Sequence, residues 1–527
     1  MPRDFQLPGR SPVIAIEGMA ATSHPLATIT AIDTLRAGGN AVDAAVAAAA
    51  VLGVIEPQST GIGGDCFCMI SQPGKPVWGY NGCGRAGAKA STEALLAQGL
   101  NTVGMTSVHA VTVPGAIEAW EAILKAHGRF GLDRALEPAI RFAENGFPVA
   151  SRIAHAWGNM VSKLAADPGA TRHYLFGGRA PAMGDVIKLP ALAATMKTIA
   201  AKGWRAFYQG EIARDMVKTL AARGSFLTEE DFARHRGEAV APISTNYRGL
   251  DILELPPNGQ GLTALVLLNI LENFEMAALD PLGPERFHIV LEAARMAYAI
   301  RNTHIADPAH MRVKVPALLD KKFAKTLAGR IDRSRRVPLP SAPTPDSDTV
   351  YLTVVDRDRM AVSFINSLYS NFGVGICTEK SGIMLTNRGA CFVVDPRHPN
   401  TFGANKRPMH TIIPAHAMRN GRCEMSFGVM GSHFQPMGHV QVVLNMHDYG
   451  MDVQHAIDAP RIFFEGENTM PERGIAPATL EGLRAKGHKL VTAELPWGGG
   501  QAIAIDWKRG VLIGGSEPRK DGCAIGY

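Results

Sequence analysis

The sequence predicts a layered α+β fold, because helical patterns fill the middle of the chain and strand patterns fill its C-terminal third. Apolar residues recur at helical spacing over residues 115–127, 134–144, 190–202, 210–222, 260–275 and 285–302. From residue 349 onward the pattern becomes that of strands, over 349–355, 360–366, 381–386, 411–418, 423–429, 501–506 and 511–514. Separate runs of helices and strands are typical of helix layers packed on sheet layers.

The N-terminal region is predicted to contribute two helices and a glycine-rich turn. A helix is expected over 26–37, and Asn40 is expected to cap an alanine-rich helix over 40–55. This second helix contains Asp43 and is too short to span a membrane, so it is predicted to be buried. The "GIGGD" that follows at 61–65 indicates a tight turn, because it lacks the strand–turn–helix context of a dinucleotide site.

The composition is that of a folded protein and excludes two classes of partner. Of the 527 residues, 46% are hydrophobic and 19% are charged. The net charge of +6 is scattered, without a Lys/Arg run or interleaved aromatics, so we expect neither nucleic acid nor a membrane as partner. The N-terminus lacks the apolar stretch of a signal peptide, and the seven cysteines follow no disulfide spacing. A cytoplasmic location is therefore expected.

Few residues indicate a reaction by motif alone. The sequence has no phosphate-binding loop, no H-E-x-x-H and no G-x-S-x-G. His410, His416, His433 and His439 lie close in sequence, but their spacing and the lack of nearby carboxylates favour loop and core roles over a metal site. We expect neither a metal nor an organic cofactor.

Thr349 is a candidate nucleophile because of its surroundings. The preceding run "VPLPSAPTPDSD", residues 337–348, is predicted to be exposed and irregular, and Thr349 then begins the first strand of a hairpin. If the chain were cut between Asp348 and Thr349, the new α-amino group would have a pKa of roughly 7.7–8.0 and could serve as base for the adjacent hydroxyl. A β-forming residue at a strand end is the alternative interpretation.

The chain resembles the γ-glutamyltranspeptidases, which are N-terminal nucleophile hydrolases, along nearly its whole length. The similar segments are, in order, "GMAATSHPLAT", "GGNAVDAAVAAAAVLGVIEPQSTGIGGDCF", "VTVPGAIEAW", "RFAENGFPV", "LPPNGQGLTALVLLNILENF", "DTVYLTVVDRDRMAVSF" and "SEPRKDGCAIGY". The resemblance implies a four-layer αββα sandwich of the N-terminal nucleophile hydrolase type. It also implies an enzyme that is made as one inactive chain and cleaves itself.

By this resemblance the cleavage site is Asp348-Thr349, and Thr349 is both the nucleophile and, through its α-amino group, the base. The products would be a large subunit, residues 1–348, and a small subunit, residues 349–527, interleaved in one αββα domain. The sequence leaves open whether two of these two-subunit units form a homodimer. The remaining catalytic positions implied by the resemblance are Gly431 and Ser432, as the oxyanion hole, and Ser367.

The substrate pocket implied by the resemblance departs from the family pattern. Cys83 and Cys391 stand where the family has an arginine for the γ-glutamyl α-carboxylate and an aspartate for the α-amino group. Each charge-assisted hydrogen bond lost there is worth roughly 1.5–3 kcal/mol, so a poor γ-glutamyl site is predicted. The residues assigned to substrate binding are Arg85, Arg388, Tyr369, His410, Thr411 and Asn387.

The segments "HTIIPA", "FGVMGSHFQPMGHVQ" and "NRGA" are more similar to the transpeptidase-like amidohydrolases, such as oxamate amidohydrolase. The leading hypothesis is therefore a Thr349 amidohydrolase that acts on a small amide, with acidic amides such as oxamate included. Arg388 and Arg85 would hold the substrate carboxylate, although an ordinary ion pair would also explain either arginine. One alternative is a γ-glutamyl hydrolase or transferase acting on glutathione. Another is a processing-dead scaffold or binding protein.

Overall fold

The structure, a computed structural model, describes residues 9–338 and 349–527. Its strands are β1 (Val13–Ala15), β2 (Met19–Thr22), β3 (Asp65–Ser71), β4 (Trp78–Gly82), β5 (Phe147–Pro148), β6 (Val186–Ile187), β7 (Glu238–Val240), β8 (Ile243–Tyr247), β9 (Leu250–Glu254), β10 (Val350–Val355), β11 (Ala361–Ser367), β12 (Ala415–Arg419), β13 (Arg422–Met430), β14 (Ile462–Glu465), β15 (Asn468–Pro471), β16 (Lys489–Leu490), β17 (Gly499–Asp506), β18 (Val511–Ser516) and β19 (Cys523–Gly526). Its α-helices are α1 (Pro25–Arg36), α2 (Ala41–Ile55), α3 (Thr92–Ala97), α4 (Ala116–His127), α5 (Leu132–Asn145), α6 (Ser151–Gly158), α7 (Val161–Ala165), α8 (Pro168–Tyr174), α9 (Pro190–Lys202), α10 (Arg205–Tyr208), α11 (Glu211–Ala221), α12 (Glu229–Arg234), α13 (Gly261–Leu271), α14 (Pro284–His304), α15 (Val315–Leu318), α16 (Lys321–Ala328), α17 (Gln435–His447), α18 (Val453–Asp458) and α19 (Pro477–Ala485).

Two antiparallel sheets form the centre of the fold. Within the described residues, the first sheet has the strand order β19-β2-β10-β11-β3-β4-β7, and the second has the order β1-β18-β17-β13-β12-β9-β8. The sheets lie face to face, with β10 and β11 of the first against β13 and β17 of the second. Each sheet mixes strands that precede residue 349 with strands that follow it.

A helix layer covers the outer face of each sheet. Helices α1, α2 and α4 pack on the first sheet, while α13, α17 and α18 pack on the second. The predicted four-layer αββα sandwich is confirmed. Across residues 9–338 and 349–527, no helix combines the length and the apolar character needed to cross a membrane.

The alanine-rich helix α2 is buried along its whole length, as predicted. The side chain of Asn40 caps the helix by accepting hydrogen bonds from the backbone N–H groups of Val42 and Asp43. The Asp43 carboxylate in turn accepts from the backbone N–H of Asn40 at 2.8 Å, and from those of Arg129 and Phe130 at 2.9 Å each. One buried carboxylate thus fixes both the start of α2 and the segment that leads from α4 to α5.

The β10–β11 hairpin lies between α2 and the second sheet, which explains its almost continuous apolar sequence. Every residue of both strands is buried, as expected for strands covered on both faces. At the closed end, the Asp356 carboxylate accepts a hydrogen bond at 3.0 Å from the backbone N–H of Ala41, the first residue of α2. A carboxylate is favoured at a helix N-terminus, so this contact holds the hairpin against the helix layer.

The expectation of a strand over 381–386 is wrong. Within this segment only Met384 forms a β-bridge, to Cys377. The backbone N–H of Ser381 donates to the Asp215 carboxylate at 2.8 Å, and Gly382 adopts a positive φ of 65°. These contacts bend the segment, and tertiary hydrogen bonds replace the strand ladder that its apolar residues suggested.

We expect Asp43→Ala to lower the free energy of unfolding by about 4 kcal/mol, because three backbone N–H groups lose a buried, charged acceptor. The measurement is chemical denaturation followed by circular dichroism. The control is Asp33→Ala on α1, where the side chain is exposed; it should lie within about 0.5 kcal/mol of wild type. Equal effects of the two substitutions would contradict the role given to Asp43.

Candidate active site

Thr349 lies at the open end of the central hairpin and is completely buried. The pairing of Val350 with Asn366 places Thr349 opposite Ser367, the last residue of β11. The two hydroxyl oxygens lie 3.0 Å apart. The hairpin register alone therefore brings two of the sequence-predicted catalytic residues into hydrogen-bonding contact.

Ser367 connects the nucleophile candidate to the rest of the site. Its Oγ accepts a hydrogen bond at 2.8 Å from the backbone N–H of Tyr369 and one at 3.3 Å from Nη2 of Arg388. Gly64, in the predicted tight turn, passes so close that a Cβ there would lie 2.2 Å from the carbonyl oxygen of Ser367. Only glycine fits at this point, which explains one glycine of the "GIGGD" segment.

Arg388 is a completely buried cation beside the nucleophile candidate. Its Nη1 donates to Oγ1 of Thr411 at 2.6 Å, and its guanidinium carbon lies 4.3 Å from the centre of the Tyr369 ring. Its Nε is buried and has no hydrogen-bond partner among the residues that the structure describes. Within residues 9–338 and 349–527 no carboxylate lies in salt-bridge range of this guanidinium, so its charge is met there only by hydroxyls and a ring face.

Tyr369 continues the network towards a second buried arginine. The Tyr369 hydroxyl lies 3.2 Å from Nε2 of His433, and Nδ1 of His433 lies 2.9 Å from Nη1 of Arg301. Burial, together with the charges of Arg301 and Arg388, holds the pKa of His433 well below its usual range. His433 is therefore neutral, and because its Nδ1 must accept from Arg301, its Nε2 carries the proton and donates to Tyr369.

Gly431 and Ser432 form the turn between β13 and α17. Gly431 has a φ of 125°, and a Cβ on it would lie 2.7 Å from the Cα of Gly498, so this position requires glycine. Ser432 also has a positive φ, 52°, and within the described part of the chain its buried Oγ has no hydrogen-bond partner. The amide Nε2 of Gln260 donates to the carbonyl oxygens of Ser432, at 2.8 Å, and of Thr411, at 2.7 Å. Gln260 thereby joins the oxyanion-hole candidates to the Arg388 pocket.

His410, next to Thr411 in the chain, is held in place by a contact with Asp65. Nε2 of His410 lies 3.0 Å from Oδ2 of Asp65, while its Nδ1 accepts from the backbone N–H of Ile412 at 3.3 Å. Burial, and secondarily the charge of Arg388, lowers the pKa of His410 to about 3, so the ring is neutral. This fixed ring holds the chain on either side of Thr411, the partner of Arg388.

The four histidines close in sequence do not converge on one metal site. Within the part of the chain that the structure describes, one group of potential ligands converges, Asp65, Cys83 and His410, whose ligand atoms lie within 4.8 Å of one another. The carboxylate of Asp65 also accepts from the backbone N–H groups of Gly84, at 3.0 Å, and Gly115, at 3.2 Å. Hydrogen bonds within the protein thus occupy the Asp65–His410 pair.

Two assigned substrate-binding residues have other neighbours. Arg85 is 38% exposed and donates to Oδ2 of Asp307 at 3.1 Å and to the carbonyl oxygen of Asn405 at 3.0 Å, beside a separate cavity of about 300 Å³. The side-chain oxygen of Asn387 accepts from the backbone N–H of Ser370 at 3.1 Å, so Asn387 fixes the loop after Tyr369. Asp348, the other cleavage-site residue, lies outside the described residues.

The comparison with protein families decides the family. The model of the gamma-glutamyltranspeptidase family matches residues 27–527. The chain belongs to this family. Its members are N-terminal nucleophile hydrolases, and the chain is accordingly an autoprocessed amidohydrolase of the gamma-glutamyltranspeptidase family. The alternative of a non-enzymatic scaffold is not supported.

Several gamma-glutamyltranspeptidase relatives match along their full length. The chain is 38% identical over 524 residues to the glutathione hydrolase-like YwrD proenzyme of Bacillus subtilis, with 98% of this chain and 99% of that protein covered. It is 35% identical over 528 residues to the oxamate amidohydrolase proenzyme of Klebsiella pneumoniae subsp. pneumoniae, with the same coverage, 98% and 99%. The crystal structure of cephalosporin acylase from Bacillus halodurans matches with a TM-score of 0.93 at 38% identity, covering 100% of this chain and 99% of that one.

Within this family fold, sequence reasoning missed three residues that organise the site. Gln260, Arg301 and Asp65 lie far from Thr349 in sequence, and none belongs to a motif that indicates chemistry on its own. Gln260 lies within the "LPPNGQG" segment and Asp65 ends "GIGGD". For Gln260 and Asp65 there was one local signal in the sequence: each is a polar residue next to glycines at sites with little space for a side chain.

We expect acid to destabilise the protein partly through His410. Because its pKa falls from 6.5 to about 3 on folding, the unfolded state binds the proton more tightly, so this contribution to stability is complete above pH ~6.5 and is lost as the pH falls towards 3. The loss is about 1.4 kcal/mol per pH unit within that window. Melting temperatures between pH 7.5 and pH ~4.5 should therefore fall less steeply for His410→Asn than for wild type.

The control for this measurement is His155→Asn on the surface of α6, which should keep the wild-type slope. If His410→Asn kept that slope as well, His410 would not be the neutral buried ring described above.

Proposed function

We propose that the protein hydrolyses a small amide that carries a carboxylate close to the scissile bond, with Thr349 as nucleophile and Arg388 as the carboxylate anchor. The observation that carries the proposal is the buried Arg388 guanidinium, which has a free Nε and no carboxylate neighbour within the described residues. A buried charge without a counter-ion is costly, and a bound carboxylate would remove that cost.

The position of Arg388 limits the distance between carboxylate and amide in the substrate. Nη2 of Arg388 lies 3.3 Å from the same Ser367 hydroxyl that lies 3.0 Å from the hydroxyl of Thr349. A carboxylate bound to this guanidinium is therefore near the carbonyl that Thr349 attacks. Monoamides of short dicarboxylic acids, such as oxamate, have this arrangement, whereas a γ-glutamyl group separates the two by several carbons.

The proposed chemistry uses Thr349 twice. In the precursor its hydroxyl attacks the carbonyl carbon of Asp348, the peptide nitrogen leaves as the new α-amine, and water hydrolyses the resulting ester. The products are residues 1–348 and 349–527. In turnover the freed α-amine takes the Thr349 hydroxyl proton during attack on the substrate amide, donates it to the departing amine, and activates the water that resolves the acyl-enzyme.

The other polar groups have supporting roles in this proposal. Ser367 orients the Thr349 hydroxyl through the 3.0 Å contact. The backbone N–H groups of Gly431 and Ser432, in the constrained turn before α17, stabilise the oxyanion that forms during attack. Thr411 and Tyr369 hold the Arg388 guanidinium in place.

A γ-glutamyl hydrolase acting on glutathione is the second candidate. The similarity to the glutathione hydrolase-like YwrD proenzyme favours it. In that case Arg388 would hold the α-carboxylate, and the substrate α-amino group would have to be accommodated beside Cys391 rather than a carboxylate. Ammonia release from oxamate, compared with glutamate release from glutathione, distinguishes the two candidates.

We expect Thr349→Ala to remain a single uncut chain near 56 kDa and to show no amidase activity, because both the hydroxyl nucleophile and the means of exposing the α-amine are lost. Intact mass under denaturing conditions checks this. Thr349→Ser keeps a hydroxyl and should still yield two fragments, the smaller beginning at residue 349. Cleavage of the alanine variant at this position would refute the nucleophile assignment.

We expect Arg388→Gln to lower kcat/KM for oxamate by roughly 10²–10³-fold, since two charge-assisted hydrogen bonds to the substrate are removed. Arg85→Gln is the matched control: this arginine is already paired with Asp307 and should change kcat/KM less than about threefold. A larger loss from Arg85→Gln than from Arg388→Gln would move the carboxylate anchor to Arg85.

A further inference from the structure

Lys163 places a partly buried ammonium group against the loop that leads away from the site. It lies on the short helix α7, and its Nζ donates to the carbonyl oxygens of Asn371, at 2.7 Å, and Gly373, at 2.5 Å. A longer contact of 3.4 Å reaches Oγ of Ser370. Its stem lies along Gly375, where an added Cβ would be 3.0 Å from Cγ of the lysine. Among the described residues no carboxylate meets this ammonium, so the loop carbonyls are its main partners.

The loop that Lys163 holds has a constrained backbone. Tyr369 and Phe372 adopt positive φ values of 81° and 55°, which are unfavourable for residues with a Cβ, and Gly373 follows at 51°. Such conformations persist only when surrounding contacts impose them. Two further contacts act here: the backbone N–H of Phe372 donates to the carbonyl of Gln58 at 2.7 Å, and that of Ser370 donates to Asn387.

This loop begins with Tyr369, the residue that supports Arg388. The Tyr369 ring lies 4.3 Å from the Arg388 guanidinium, and its hydroxyl contacts His433. A shift of the loop would therefore move the ring under the guanidinium and change the direction of its N–H groups. Because aromatic and guanidinium planes interact only at close range, small displacements matter.

We infer that Lys163 is a positioning residue for the substrate-binding Arg388 and acts through the Tyr369–Gly375 loop. Lys163 precedes the proposed cleavage site in the chain, and the loop follows it. The inference rests on the proposed function in one respect, the contact of Arg388 with substrate. Lys163 itself touches none of the reacting groups. It holds a strained loop in the single position that keeps Tyr369 beneath Arg388.

The clamp formed by Lys163 is sensitive to alkali. Burial lowers the pKa of Lys163 to about 8. A neutral amine loses the charge that attracts two carbonyl oxygens, so the charged clamp is nearly complete at pH ~7 and below, is half lost near pH 8, and weakens further as the pH rises. The ionisable side chains on α8, on its N-cap and on the clamped loop are Asp167, Arg172, His173, Tyr174 and Tyr369. None of them contacts the ammonium, and Asp167 is paired with Arg223.

The test compares Lys163→Met, which removes the ammonium, with Lys163→Arg, whose charge does not titrate below pH ~11. Steady-state kinetics with oxamate from pH 6 to 10 should show KM raised about tenfold in Lys163→Met at pH 7, with kcat reduced less than threefold. The wild-type fall in kcat/KM above pH 8 should vanish in Lys163→Met and move above pH 10 in Lys163→Arg. A fall near pH 8 that persists in Lys163→Arg would overturn the inference, even if the methionine variant did not fold.

A measurement without substrate separates this inference from the proposed function. Hydrogen–deuterium exchange of peptides covering 369–375 should be at least tenfold faster in Lys163→Met than in wild type at pH 7, and unchanged in Lys163→Arg. If the wild-type protein failed to hydrolyse oxamate, the proposed function would be wrong. Faster exchange in Lys163→Met would still establish that Lys163 holds the loop. Unchanged exchange in Lys163→Met, or faster exchange with an unchanged KM, would refute the positioning role.

Discussion

The site depends on the pairing of β10 with β11, because that pairing alone brings Thr349 opposite Ser367. The hairpin cannot slip by one residue: both strands are buried on both faces, and a shift would turn every side chain towards the wrong layer. Asp356 fixes its closed end to α2, while Gly64 closes against the carbonyl of Ser367 at its open end. The position of the nucleophile candidate is thus a property of the sandwich as a whole.

Beside that hydroxyl pair the electrostatics are unusual, since the buried Arg388 guanidinium has only neutral groups as contact partners among the described residues. Burial, with the charges of Arg301 and Arg388, lowers the pKa of His433 and keeps it neutral, and burial, with the charge of Arg388, does the same for His410. The neutral rings have fixed tautomers and serve as rigid hydrogen-bonding partners. Among the described residues no carboxylate pairs with Arg388, and this is why the proposed function assigns its charge to a substrate anion.

The local sequence predicted the hairpin and made Thr349, next to its first strand, a candidate, because a hairpin leaves a local trace: strand and turn residues after an irregular, proline-rich run; the role of Thr349 as nucleophile is what the resemblance implies. The roles of Arg388 and Gly431 came only from resemblance to a family, since neither has a local signature. The structural roles of Gln260 and Lys163 were not predicted, because their partners lie more than a hundred residues away in the sequence and such contacts leave no periodic pattern. The strand expected at 381–386 failed for the same reason: Asp215 bends it from a distance.

The interleaved strand order has a mechanical consequence for a chain that cuts itself. The hairpin is hydrogen-bonded to β2 on one side and to β3 on the other, both from the earlier part of the chain, and a break at the proposed position before β10 would leave these bonds in place. Severing the covalent link removes no rung of this ladder. The two fragments would thus unfold as one cooperative body, and dilution would not separate them, because dissociation requires tearing the sheet along its centre.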